Sequence, residues 1–287
     1  MTEPTSTPFA QDARESELQI AEVARESEPL SGLNVVLVCP TYGPVDPACA
    51  RDLRVAVMSA SAKGLHWAGD ASPDRLAYGF ARNQAAQVLR FKPESPIARV
   101  RPIDGIMWVD SDIRMHPDSI SRLLTTVAVH GLDFVTGIYH ARQPPYLPVI
   151  YHRVPGTGEG EGRSRYLQCI DYPKETILSL DACGFGFCYT STRMINGIAE
   201  SPTFKKQSGW FPDMRDHGGF GEDIAFGDLA WRAGFQLYVD TGVQVGHTGD
   251  TRVVWEADFR AQGISIDSPC LKERQIEANW GTPVQRL

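Results

Sequence analysis

The sequence predicts an α/β protein whose first half is Rossmann-like and whose second half is a mixed β region with one helix. The first observation behind this prediction is an alternation of short apolar runs with helical patterns across residues 33–140. The second is a glycine-rich turn, residues 155–162, between two strand-like segments. The third is an ordinary globular composition, with 42% hydrophobic and 22% charged residues in a chain of 287, which does not fit a disordered chain.

The elements of the first half follow one another regularly. The run "LNVVLVCP", residues 33–40, has the continuous apolar character of a strand that is buried on both faces of a parallel sheet. Helical spacing over residues 46–64 predicts a helix that ends at Gly64. The remaining elements are a strand at 65–69, a helix at 72–91 with Ser72 as its N-cap, a strand at 105–110, a helix at 117–131 and a strand at 133–139.

The second half changes character. Residues 147–154 and 165–172 flank the glycine-rich turn and predict an antiparallel hairpin. A strand-like segment interrupted by glycines follows at 177–191, and then a helix at 222–234 and two short strands at 235–240 and 243–247.

The N-terminal residues 1–31 predict a flexible acidic tail. They hold seven acidic residues against two arginines, so most of the net charge of −7 lies there and the body is nearly neutral. No block of lysine and arginine marks a nucleic-acid footprint, although a nearly neutral body does not exclude such a partner.

The apolar runs and the cysteines indicate in which cellular compartment the protein is expected. The longest aliphatic run, Val35 to Cys39, is too short to span a membrane, and the N-terminus lacks the pattern of a signal peptide. None of the six cysteines forms a CxxC pair, and most have apolar neighbours, so buried free thiols are favoured over disulfides or zinc ligands. These features predict a cytoplasmic protein without a membrane span.

Two acidic pairs are the main candidates for chemistry. In "IMWVDSDIRMHPD", Asp110 and Asp112 directly follow an apolar strand, which is where α/β sheets bind ligands. Two carboxylates held together favour a divalent cation, but they could instead only shape a turn. In "GGFGED", Glu222 and Asp223 open a helix, where acidic residues suit the helix dipole. An ionised carboxylate at that position could also act as a general base.

Three further features are weaker candidates. His247 in "VQVGHTGD" follows a strand and is either a structural histidine or a metal ligand. Arg82 in "FARNQAA" either neutralises a phosphate or forms a surface salt bridge. Trp210 and Phe211 are predicted in a loop, where they either stack on sugar rings or cover the core.

The order of the motifs carries a resemblance. "VVLVCPTYG", "ARNQAA", "MWVDSDI", "GFGED" and a late "GH" resemble, in that order, the GT-A-type glycosyltransferases near family 2, over roughly residues 33–250. The resemblance implies a GT-A fold with a Rossmann-like nucleotide-binding half, a mixed sheet and an acceptor half that contains the hairpin. It places the transferase domain at 32–250 and leaves 251–287 as a C-terminal extension packing near the acceptor side.

The resemblance also implies roles on the donor side. It implies that Pro40, Thr41 and Tyr42 line the nucleotide pocket, and that Asp70 reads the base. Arg82 is implied near the diphosphate or ribose, and Asp110 beside the ribose. The implied metal ligands are Asp112 and His247, with Asp110 as a further candidate. The implied cofactors are Mn²⁺ or Mg²⁺ and a UDP- or GDP-sugar.

On the acceptor side, the resemblance implies that Asp223 is the base of an inverting hexosyl- or pentosyltransferase, with Glu222 binding hydroxyls and Trp210 and Phe211 contacting the acceptor. The acceptor stays open between a glycan, a protein, a small molecule and a modified DNA base. The second strand lacks a "DDGS"-like ending, which departs from the family's pattern for base recognition. No "QxxRW" follows "GED", which argues against a processive polymer synthase.

Three alternatives stand beside this interpretation. One is a retaining transferase of the same donor class, and another is a non-catalytic glycan-binding or virion-surface module on the same fold. The third, a phosphatase of the haloacid dehalogenase type, is disfavoured because Arg114 stands where that family has threonine or valine.

Overall fold

The computed structural model describes most of the chain. The described residues are 30–41, 43, 45–73, 76–91, 102–155, 163–204, 209–212, 221–264 and 276–279. Most of the predicted acidic tail, Tyr42 and the glycine-rich turn at 156–162 lie outside these ranges.

The described residues form fourteen strands and six helices. The strands are β1 (Asn34–Val38), β2 (His66–Asp70), β3 (Gly105–Val109), β4 (Ile113–Arg114), β5 (Phe134–Ile138), β6 (Ile150–Pro155), β7 (Arg163–Gln168), β8 (Ile177–Leu180), β9 (Ala182–Cys183), β10 (Phe187–Ser191), β11 (Leu237–Gln244), β12 (Gly246–Thr248), β13 (Val253–Val254) and β14 (Ile276–Asn279). The helices are α1 (Pro47–Ala62), α2 (Tyr78–Phe91), α3 (Ser119–His130), α4 (Thr192–Glu200), α5 (Glu222–Arg232) and α6 (Glu256–Arg260).

A seven-stranded mixed sheet organises the molecule, with strand order β2-β1-β3-β10-β5-β11-β8. Strand β1 pairs in parallel with β2 and β3, whereas β10 runs antiparallel to both β3 and β5. Strand β5 pairs in parallel with β11. The carboxyl ends of β1, β2, β3, β5 and β11 therefore meet at one edge of the sheet. The predicted mixed α/β architecture is confirmed, and it is consistent with a GT-A-like fold.

Both faces of this sheet are covered by helices. Along β3, Ile106 and Trp108 pack on one side with residues of α2, α4 and α5, and Met107 and Val109 pack on the other side with residues of α1 and α3. Every residue of β3 is buried. This double burial explains why the central strands are continuous apolar runs rather than alternating ones.

Two smaller sheets complete the fold and bring distant segments together. Strand β12 lies between β13 and β4, and in it His247 pairs with Ile113, the residue after Asp112. The predicted hairpin is present as the antiparallel pair β6–β7. Strand β14 of the C-terminal extension adds to β7, and Phe259 of α6 stacks on His140 with ring centroids 5.3 Å apart.

The described residues of the second half hold three helices, α4, α5 and α6, where the sequence predicted one, and several strand bounds differ by a few residues. Two boundary differences change how the sequence is interpreted. Leu30, expected in the flexible tail, is fully buried in the core on the α1 and α3 side. The second helix begins at Tyr78, not at Ser72. The Ser72 backbone N–H donates to Asp70 Oδ1 at 2.8 Å, and its hydroxyl accepts the N–H of Cys39 at 2.8 Å. Ser72 thus joins two strand ends instead of capping a helix.

The described residues contain free thiols and no membrane-spanning helix. Five of the six cysteines lie there, and all five are free thiols. No helix in the described ranges is both long and apolar enough to cross a bilayer.

Candidate active site

A pocket of about 780 Å³ opens at the carboxyl edge of the main sheet. It is lined by six of the residues that the sequence singled out, which are Arg82, Asp110, Asp112, Glu222, Asp223 and His247. They come from α2, the end of β3, the start of α5 and β12. The topology therefore gathers four separate motifs around one space.

Arg82 forms the centre of the pocket wall. Its guanidinium donates to both carboxylate oxygens of Asp110 at 2.9 Å and to Glu222 at 2.7 Å, and its side chain is only 4% exposed. The rings of Tyr78 and Phe185 lie 5.4 and 5.5 Å from it. Burial acts to lower the pKa of Arg82, but Asp110 and Glu222 outweigh it and raise the pKa above its ordinary value. Arg82 is thus a buried cation that ties the end of β3 to the start of α5.

A close helix–helix approach makes this contact possible. A Cβ added at Gly79 would lie 3.3 Å from Cβ of Glu222 and 3.3 Å from the carbonyl oxygen of Phe211. Any larger residue at position 79 would therefore press on α5. Since Gly79 and Arg82 are three residues apart on α2, the glycine brings the Arg82 face of that helix against Glu222.

The Asp112 side chain faces His247. His247 Nδ1 lies 2.8 Å from the carbonyl oxygen of His140. A carbonyl only accepts, so Nδ1 carries a proton and donates to it, which leaves Nε2 facing Asp112. That Nε2 atom is 3.4 Å from Asp112 Oδ2, and Arg142 Nη1 is 3.1 Å from the same oxygen. Burial would raise the pKa of Asp112, but His247 and Arg142 lower it overall, so the carboxylate is ionised.

This pair has the chemistry of a cation site. Asp112 Oδ1 is buried and has no hydrogen-bond partner among the described residues. A carboxylate with one unpaired oxygen, whose other oxygen lies 3.4 Å from an imidazole Nε2, fits a divalent cation with a protein ligand set of two, the histidine binding the metal in its neutral form. No group of three or more histidine, cysteine, aspartate or glutamate side chains able to hold a metal occurs in the described part of the chain. A cation here would therefore need further ligands from a substrate or from water.

Asp110 is placed differently from Asp112. Both of its oxygens accept from Arg82, and its backbone N–H donates to the carbonyl oxygen of Gly186 at 2.8 Å. Burial raises the pKa of Asp110 above its ordinary value and Arg82 opposes that effect, with Asp112 adding to the rise. Because Asp110 already has a cation as its partner, we leave it out of the candidate metal ligands.

Asp223 is the carboxylate with the most perturbed environment in the pocket. Burial raises its pKa to about 6, and the adjacent Glu222 adds to this while Arg82 opposes it. Its Oδ1 accepts the N–H of Ile224 at 2.8 Å. A Cβ at Gly221 would lie 2.3 Å from that oxygen. The glycine in "GFGED" is therefore explained by space for the folded-back Asp223 side chain.

The residues predicted to bind the nucleotide lie at neighbouring strand ends. Pro40 is buried, and the N–H of Thr41 donates to the carbonyl oxygen of Pro73 at 3.1 Å. Asp70 ends β2 and is paired in register with Leu37 of β1. Burial raises the pKa of the Cys39 thiol to about 12, and the negative charges of Asp110, Asp70 and Asp112 add to the rise. Pro40, Thr41 and Asp70 are not part of the pocket lining itself.

The predicted acceptor contacts of Trp210 and Phe211 are corrected by the structure. Each is only 1% exposed. The Trp210 indole N–H donates to the carbonyl oxygen of Ile195 at 2.9 Å, and the Phe211 ring packs against Phe185 with centroids 4.8 Å apart. Asn83 holds the backbone of Phe211 through hydrogen bonds in both directions. Both aromatic residues cover the core, which was the alternative interpretation of this loop.

Sequence reasoning missed Arg142 and Tyr139, which also line the pocket. Tyr139 and Arg142 follow β5, so the strand-end rule that selected Asp110 could have found them. The glycines of "CGFGF" were a second signal, since a Cβ at Gly184 would lie 2.0 Å from the Tyr139 hydroxyl.

The chain resembles known proteins in structure rather than in sequence. No family model matches it, and no curated protein matches it. Among solved structures, A197 from STIV is 14% identical with a TM-score of 0.47, covering 89% of this chain and 98% of that one. GalNAc-T7, solved with UDP, GalNAc and Mn²⁺, is 11% identical with a TM-score of 0.44. That match covers 75% of this chain and 44% of GalNAc-T7, so the chain spans less than half of that protein. At these scores the assignment of function rests on the pocket alone.

Proposed function

We propose that the chain is a metal-dependent glycosyltransferase that moves a sugar from a nucleotide-sugar donor to a hydroxyl acceptor in the 780 Å³ pocket. The observation that carries the proposal is the presence of two differently tuned carboxylates in that one pocket. Asp112 is ionised and offers an unpartnered buried oxygen, whereas Asp223 has a pKa raised to about 6. Such a pair suits one carboxylate for a cation and the other for a proton.

Asp112 and His247 form the part of the pocket that would bind the donor. They would hold Mn²⁺ or Mg²⁺ together with the diphosphate of a UDP- or GDP-sugar. A divalent cation, when bound, neutralises the negative charge that develops on the leaving diphosphate. Asp110, fixed by Arg82, would accept a hydrogen bond from the ribose, and Pro40, Thr41, Tyr42 and Asp70 would contact the nucleoside beyond the strand ends.

Asp223 acts on the acceptor as the catalytic base. In a single displacement, the acceptor oxygen forms a bond to the anomeric carbon while the bond from that carbon to the phosphate oxygen breaks, which inverts the configuration. The acceptor proton goes to Asp223. A base with a pKa of about 6 is ionised at neutral pH and is more basic than an ordinary aspartate.

Glu222 and Arg82 would hold this base in place. Arg82 binds one oxygen of Glu222 at 2.7 Å, and the Glu222 side chain remains 27% exposed, so its other oxygen is available to a substrate hydroxyl. Arg82 itself is turned toward the carboxylates, and we assign it a positioning role rather than direct contact with the diphosphate.

A donor screen tests the proposal. UDP- and GDP-sugars are incubated with the protein and Mn²⁺, and release of free nucleoside diphosphate is measured, followed by mass spectrometry with glycan, protein, small-molecule and modified-DNA acceptors. We expect release from one donor class, faster with its acceptor. NMR of the product's anomeric carbon then separates inversion from retention. Absence of turnover with every donor would favour the non-catalytic binding module.

A further inference from the structure

Arg142 contacts the Asp112 carboxylate at the wall of the pocket. Its Nη1 atom lies 3.1 Å from Asp112 Oδ2, and its side chain is 49% exposed and lines the pocket. Its backbone lies next to the turn after β12, because a Cβ at Gly249 would be in ordinary contact, 3.5 Å from the Arg142 carbonyl oxygen. Arg142 is therefore a long, half-exposed cationic side chain at the pocket, two residues beyond His140.

Arg142 and a divalent cation would compete for the Asp112 carboxylate. A cation shared by Asp112 and His247 would lie beside Oδ2, the Asp112 oxygen 3.4 Å from His247 Nε2, and the Arg142 guanidinium lies 3.1 Å from that same oxygen. The arginine therefore borders the position of the cation. A guanidinium and a divalent cation repel each other at such distances. The arginine half of this ion pair is 49% exposed, so solvent screens the pair in part and the side chain can leave Asp112 for another anionic partner.

We propose that Arg142 is a placeholder for the divalent cation and a contact for the donor diphosphate. Before the donor binds, Arg142 neutralises Asp112. When the cation arrives with the diphosphate, the guanidinium turns from the carboxylate to the phosphate oxygens, which it can bind through two parallel N–H groups. This inference rests on the proposed function, and it predicts that the cation and the diphosphate bind cooperatively.

The test separates the two roles by the sign of the effect. Mn²⁺ binding without nucleotide is measured from the loss of the free-ion EPR signal. Binding of UDP and of GDP at saturating Mn²⁺ is measured by calorimetry. For Arg142→Ala we expect Mn²⁺ alone to bind about threefold more tightly, because its competitor is gone. We expect the nucleoside diphosphate to bind at least about fivefold more weakly, because a charged hydrogen-bond partner is gone.

Two variants serve as controls. Arg142→Lys keeps the charge but not the planar fork, so Mn²⁺ affinity should stay within about twofold of the original while diphosphate affinity falls. Arg193→Ala removes a similarly exposed arginine that pairs with Asp133, so it reproduces the change in net charge without touching the pocket. Both affinities should stay unchanged in Arg193→Ala.

The outcomes distinguish this inference from the proposed function. If the original protein binds Mn²⁺ and the diphosphate but Arg142→Ala binds Mn²⁺ no more tightly, the placeholder role is wrong and the proposed function stands. If both affinities fall together in Arg142→Ala, the arginine only supports the site and the inference is again overturned. If neither the original protein nor Arg142→Ala binds Mn²⁺ with or without nucleotide, both proposals fail.

Discussion

Replacing Asp223 by asparagine should stabilise the fold while it disables the reaction. Asparagine has nearly the same shape, and its side-chain oxygen can still accept the N–H of Ile224, which lies 2.8 Å from Asp223 Oδ1. The change removes the negative charge that burial and the neighbouring Glu222 disfavour. The variant therefore isolates the cost of holding an ionised carboxylate in the pocket wall.

The size of the effect follows from the shift in pKa. The pKa of Asp223 rises from an ordinary 3.8 to about 6 on folding, and one unit corresponds to about 1.4 kcal/mol, so the charge costs at most about 3 kcal/mol. Because Asp223 lies at the wall of an open pocket, we expect about 1–2 kcal/mol after screening by solvent.

The effect of Asp223 on the free energy of unfolding depends on pH. Below pH 3.8 the carboxyl is protonated in both states and costs nothing. Between 3.8 and about 6 the unfolded chain loses the proton first, so the folded protein loses stability as the pH rises. The penalty is complete above about pH 6. Asp223→Asn should thus raise the free energy of unfolding in urea at pH 7.5, with no gain near pH 3.5.

The same variant reports on catalysis. Loss of a positioned base should lower turnover at least about 100-fold with little change in donor affinity. The original enzyme should lose kcat/KM as the pH falls below about 6, where Asp223 gains its proton. Asp171→Asn, which changes an exposed aspartate outside the pocket, is the matched control. Near-normal turnover in Asp223→Asn, or a gain in stability that is equal at both pH values, would refute the reasoning.

Three further predictions concern other pocket and core residues. Arg82→Ala should lower the free energy of unfolding by about 3 kcal/mol, measured in urea, because it leaves Asp110 and Glu222 facing each other without their cation. Trp210→Ala should lower it by about 3–5 kcal/mol through the cavity it creates, with donor affinity per folded molecule unchanged in calorimetry. His247→Ala should weaken Mn²⁺ binding at least about tenfold in the EPR assay, with the free energy of unfolding without metal changed by less than about 1 kcal/mol.

Each of these has an outcome that contradicts it. A stable Arg82→Ala protein that loses only diphosphate binding would mean that Arg82 is a substrate contact after all. A stable Trp210→Ala protein with weaker acceptor binding would restore the sugar-stacking interpretation. Unchanged Mn²⁺ affinity in His247→Ala would remove the histidine from the cation site.

Much of the fold could be predicted from the sequence because the signals were local. The buried strand β3 is a continuous apolar run, α1 has Asp46 as its N-cap, and α3 ends at Gly131 in the left-handed conformation, so each element is marked within a few residues. The predicted start of α2 at Ser72 was wrong, because a serine followed by a proline also fits the N-terminus of a capped helix. The deciding contacts, from Ser72 to Asp70 and Cys39, come from two neighbouring strands.

The site was harder to predict where its geometry depends on partners far along the chain. The strand-end rule predicted Asp110 and Asp112 at the carboxyl edge of the sheet, and both line the pocket there together with Asp223 and His247. The sequence could not show that Arg82 binds Glu222, which is 140 residues away. Nor could it decide that Trp210 points inward, because its partner, the carbonyl oxygen of Ile195, is a backbone atom with no signature in the sequence.

The most direct test of the central claim is to locate the metal. A crystal of the protein grown with MnCl₂ and UDP or GDP is measured at a wavelength where manganese scatters anomalously. The account predicts one strong anomalous peak roughly 2.0–2.4 Å from an Asp112 oxygen and from His247 Nε2, with the diphosphate on its open side. A bound nucleotide without this peak, or a manganese ion held elsewhere in the protein, would contradict it.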